Sequence, residues 1–109
     1  MRPGHDNNHL SVAGVLDHSR LKGKKPVAMG ISVADVIGGT MHTAVGVLAA
    51  ALHRAQTGEG KYIDVSMTDA VFTMNAVYGA QYFGSGRVPQ PEEEILNGIT
   101  SLELSHQLY

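Results

Sequence analysis

Between Val36 and Leu52 the chain carries no lysine, arginine, aspartate or glutamate, and a single acid, Asp35, stands at the head of the run. Val36, Ile37, Met41, Ala44, Val45, Leu48, Ala51, Leu52 and Ala55 recur at three- and four-residue steps, the period of an α-helix. The opposite face holds Gly39, Thr43, Gly46 and Ala50, which are small rather than charged. A long buried helix, packed on both sides, is the expectation, with Thr57-Gly58-Glu59-Gly60 as its stop. No run reaches the roughly 18 apolar residues that a bilayer crossing needs, so no membrane partner is expected.

The flanks add a coarse order of elements. His5-Asp6-Asn7-Asn8 supplies capping residues for a short helix with Leu10, Ala13 and Leu16 on one face and Gly14 as its weak point. Asp17 to Pro26 is polar and basic and reads as an exposed loop. Lys61 to Met67 alternates, with Ile63, Val65 and Met67 on one side and Tyr62, Asp64 and Ser66 on the other, which predicts a strand. Ser66-Met67-Thr68-Asp69 then opens a second helix, and Gly84-Ser85-Gly86 stops it. The expected class is α/β, mostly helical, with one clear strand. One strand makes no sheet, and two apolar helices exceed what 109 residues can cover.

Composition excludes several functions. The net charge is −2, so no electrostatic footprint for nucleic acid is present. There is no cysteine, which removes disulfides, thiolate metal sites and cysteine nucleophiles and makes the cytoplasm the default compartment. His5 and His9 have the i, i+4 spacing of paired ligands on a helix, but no third ligand is placed, and no metal is expected.

Five blocks together carry a resemblance: Pro3-Gly4-His5-Asp6-x-Asn8, Ala34-Asp35-x-x-Gly38-Gly39, Gly46-Val47-Leu48-Ala49-Ala50, Thr57-Gly58-x-Gly60 and Asp64-Val65-Ser66-Met67-x-Asp69-Ala70. In order and spacing they resemble the family III CoA-transferases, a family that also contains α-methylacyl-CoA racemases. The resemblance runs to Glu94-Ile95-Leu96-Asn97-Gly98, so residues 1–98 read as a central segment of the family domain and 99–109 as a divergent tail. It implies a Rossmann-like nucleotide-binding part ahead of Gly4 and an interlocked homodimer in full-length relatives.

The resemblance also implies a chemistry. Asp35 matches the transferase nucleophile, which attacks an acyl-CoA thioester and passes through an aspartyl-CoA intermediate to a carboxylate acceptor. In the racemases, the residues matching His5 and Asp35 exchange the α-proton of a 2-methylacyl-CoA. Asp35 and His5 are thus the expected catalytic pair. Gly4, Asp6, Gly38 and Gly39 are expected to admit substrate. Coenzyme A enters as a thioester substrate, with no permanently bound cofactor. Without the resemblance, Asp35 would read as an ordinary helix cap. Racemases carry tyrosine at His9 and asparagine at Ile31, departures that favour a transferase. A non-catalytic remnant is the remaining alternative.

Overall fold

The computed structural model describes residues 4–94. The expectations for Met1–Pro3, for the block ending at Gly98 and for the tail 99–109 lie outside the described residues.

Helix α1 (Asp6–Val12) opens where expected. The His5 backbone N–H donates to Asn8 Oδ1 at 3.1 Å, and the His5 carbonyl accepts from the Asn8 and His9 N–H groups. Gly14 ends the helix in the left-handed region (φ 77°), where an L side chain is strained. A 3₁₀ turn follows over Val15–Ser19. The basic stretch after it is exposed, and Lys22 pairs with Glu93 at 2.6 Å. The hydrogen bond from Lys22 holds the Glu93 carboxyl below its usual range.

The long helix exists, in two parts. Ala34–Met41 is π-helical and runs directly into α2, His42–Thr57. Two side chains reach carbonyls five residues back: Thr40 Oγ1 donates to the Asp35 carbonyl (3.0 Å), and His42 Nδ1 lies 2.7 Å from that of Ile37. Both suit the i→i+5 geometry of a π-turn. Gly58, with φ 79°, closes α2 by an N–H bond to the Arg54 carbonyl at 2.8 Å.

The expected burial of this helix is not found. Val45 is 65% exposed, Leu48 70% and Leu52 61%, and α2 holds no buried residue. Only Ala34 and Gly38, in the π segment, are buried. Both faces are built for contact, but the described residues provide no layer to cover them. The radius of gyration, 17.8 Å, exceeds the ~13 Å of a compact domain of this size. A second expectation also changes. Ala34–Thr57, with hydropathy 1.4, is long and apolar enough to cross a bilayer by length and composition, a test that core helices of soluble proteins also pass.

The predicted strand is the clearest correction. Among the described residues there is no strand. Residues 61–66 find no partner with which to form a ladder, and the alternation survives only as burial. Ile63 and Val65 are half-buried, while Tyr62 and Asp64 face solvent. Ile63 lies against Gly46 of α2, where an added Cβ would sit 3.1 Å from Ile63 Cγ2.

Ser66 Oγ accepts from the Asp69 N–H at 3.2 Å and caps α3 (Met67–Phe72). A 3₁₀ turn at Thr73–Asn75 separates α3 from α4 (Ala76–Ser85), which ends at Gly86 with φ 72°. The core is small: Leu10, Ala13, Val15, Val33, Ala34 and Val71, with Leu16, Met29 and Met74 against it. It is the seam where α1, the π segment and α3 meet.

Candidate active site at the head of the long helix

That seam brings two distant sequence blocks together. Asp35 is exposed at the first turn of the π segment, where backbone N–H groups lack partners within the helix. The Val36 N–H already reaches the Ser32 carbonyl (3.1 Å). The Asp35 N–H is satisfied from outside, by Asp6 Oδ1 at 3.0 Å. Asp6 begins α1 and adjoins His5, which is exposed. Asp6 and Asp35 are therefore held together by a bond spanning 29 positions, with His5 the residue before Asp6. A carboxylate at a helix N-terminus lies in a favourable field, and here two acids share that end.

The glycines divide by what they touch. A Cβ on Gly38 would meet Val71 Cγ2 at 2.7 Å and the Met67 carbonyl oxygen at 3.0 Å. Its bare α-carbon lets α3 approach the π segment. A Cβ on Gly39 would meet the Met67 thioether sulfur at 3.1 Å, the movable part of a flexible side chain. Gly38→Ala is accordingly expected to lower stability by about 1–3 kcal/mol through overpacking against backbone. Gly39→Ala should cost clearly less, as Met67 can turn aside. Urea unfolding of the two variants beside the parent protein measures both.

Two contacts went unread in the sequence. One is the Asp6–Asp35 bond, because spacing gives no sign that two blocks meet. The other is at His9, whose Nδ1 lies 2.8 Å from Thr68 Oγ1. The departure from tyrosine at His9 was the only signal for it. Among the described residues, no group of three or more histidines, cysteines and acids is placed to hold a metal.

The decisive comparison is with the model of CoA-transferase family III, which matches residues 1–104. The chain belongs to CoA-transferase family III. Human alpha-methylacyl-CoA racemase is 38% identical over 66 residues, which is 61% of this chain and 17% of that protein. Succinyl-CoA:mesaconate CoA-transferase from Haloarcula hispanica is 32% identical over 88 residues, 81% of this chain and 22% of that protein. Among solved structures, a CAIB/BAIF family protein from Brucella suis superimposes with a TM-score of 0.75 at 27% identity, covering 82% of this chain and 23% of that one. The chain thus spans about a fifth of the length of such relatives. In a family III fold of that length, the surplus of apolar helix surface has several times more polypeptide to pack against.

Proposed function

We propose that this chain carries the reacting carboxylate of a CoA-transferase, and that Asp35 is that group. The observation that carries the reading is the 3.0 Å bond from the Asp35 N–H to Asp6, which joins the two family blocks at one helix mouth. Family membership and the mesaconate CoA-transferase relative support it.

The steps balance without an outside reagent. An Asp35 oxygen attacks the thioester carbonyl, the C–S bond breaks and CoA leaves as thiolate. The thiolate attacks the Asp35 carbonyl of the mixed anhydride and releases the first carboxylate. The acceptor carboxylate then attacks the aspartyl-CoA thioester and expels the thiolate again. The thiolate finally attacks the acceptor carbonyl and returns Asp35 to its ionised form. A carboxylate nucleophile divides one difficult transfer into easier ones. His5, the residue before Asp6, is the second catalytic group in this reading; Gly4, Asp6, Gly38 and Gly39 are its substrate-binding residues, with backbone N–H groups at the helix head as the oxyanion donors. The remaining CoA contacts come from the rest of the family fold, and the assembly is an interlocked homodimer in the cytoplasm.

The racemase relative favours a second reading, in which His5 and Asp35 exchange an α-proton. One experiment separates the two. The protein is mixed with acyl-CoA and a carboxylate acceptor in deuterated water. A mass increase on Asp35 with no α-deuterium in recovered thioester is the expected result. Deuterium without an adduct would replace transferase by racemase, and neither signal would overturn both.

A further inference from the structure

Three other features of the molecule carry no inference. The apolar cavity of about 470 Å³ beside His18, Tyr78, Tyr82 and Phe83 lies where nothing in the structure shows what fills it. The groove between α2 and residues 61–66 presents Asp64, Asp69 and His42 with the hydroxyls of Ser66 and Thr73, and nothing in it points to a ligand. The bare faces of α2 have no occupant to argue from. His9 is different, because two contacts converge on its ring and a third holds its backbone.

The first contact is the 2.8 Å approach of Nδ1 to Thr68 Oγ1, which ties α1 to α3 across 59 positions. The second is on the far edge of the ring. His9 Nε2 is buried and has no hydrogen-bond partner among the described residues. A Cβ added to Gly4 would sit 2.8 Å from that nitrogen and 3.3 Å from Cε1. The ring therefore fills the space where any other residue at position 4 would place a side chain. The third is backbone: the His9 N–H points to the His5 carbonyl at 3.3 Å.

A buried N–H with no acceptor costs more than a bare lone pair against a C–H group. That difference favours the proton on Nδ1, donating to the Thr68 hydroxyl oxygen, with the lone pair of Nε2 toward Gly4.

We infer that His9 is a positioning residue for His5. Held by Thr68, its imidazole packs against Gly4, the residue before His5, so that α3 sets the place of the segment entering α1 and, through it, of His5. Gly4 is glycine because the ring needs its space. The inference rests on the functional reading above only for the role of His5, and its structural half stands alone.

The test uses the full chain with three replacements. His9→Leu keeps bulk and loses the hydrogen bond. His9→Asn places an amide group where Nδ1 stood and keeps a partner for Thr68. Thr68→Val removes the bond from the other side. The readouts are amide hydrogen exchange at His5, with Leu10 as core control, and kcat and KM for α-proton exchange or CoA transfer. His9→Leu and Thr68→Val are expected to lose protection at His5 but not at Leu10. They should also lower kcat by up to about 10²-fold with KM unchanged, the mark of a misplaced catalytic group. His9→Asn should restore protection and most of kcat. Unchanged protection at His5 in Thr68→Val would overturn the proposal. If His9→Leu also loses Leu10 protection, Thr68→Val decides. If the parent protein shows neither activity, the catalytic reading falls, and exchange at His5 still decides the role of His9.

Discussion

Asp35→Asn is expected to abolish CoA transfer, with no mass adduct on the protein and a loss beyond what acid–base groups ordinarily contribute, about 10²–10⁴-fold. The replacement is nearly isosteric. It leaves the backbone N–H that donates to Asp6 in place, so the helix mouth keeps its 3.0 Å bond. An amide, however, cannot form the mixed anhydride, and every later step depends on it. His5→Gln is the informative companion. If Asp35 works by covalent chemistry, His5→Gln lowers the rate without abolishing the adduct. If the pair exchanges a proton, both replacements stop deuterium incorporation equally. Intact-protein mass spectrometry and thioester deuterium content, taken from one reaction mixture, read both results.

The largest effect on stability is expected at Leu10. Leu10 is 0% exposed and is one of the six buried residues of the core. Leu10→Ala removes methyl groups from a site enclosed by α1, the π segment and α3, and should cost about 2–5 kcal/mol. Small domains have only about 5–15 kcal/mol in all, and this core is smaller than its helices require. The expected result is a urea midpoint shifted far downward with the slope kept, followed by far-ultraviolet circular dichroism. Val71, equally enclosed on α3, loses less when shortened to alanine because fewer atoms leave.

Much of the fold was legible because it depends on local chemistry. Gly58 and Gly86 stop helices where the sequence places them, and Ser66 caps α3 as its spacing with Asp69 predicts. The period of residues 36–55 gave the helix correctly. It did not give the burial, since a pattern states which faces seek contact and not whether a partner layer is present. Residues 61–66 failed for a related reason. Their alternation is real, but a strand is a property of two segments, and here the second is not among the described residues. The π-helical opening at Ala34–Met41 had no signature that periodicity could separate from an α-helix. At the site, the resemblance named Asp35 and His5, and the geometry added the bond from Asp35 to Asp6, the neighbour of His5 in the chain. Gly38, expected at the substrate, is occupied in packing against Met67 and Val71.

The Asp6–Asp35 bond has a consequence for how such a chain can vary. It closes a large loop, and most of the residues from 20 to 32 lie exposed on its outside. Once both ends are clasped, lengthening such a loop is cheap, about 0.6 kcal/mol for each doubling. Insertions and substitutions can accumulate there while Asp6 and Asp35 keep their places. The clasp separates a fixed pair of acids from a freely drifting border, and related chains have room to differ in that border while the pair keeps its place.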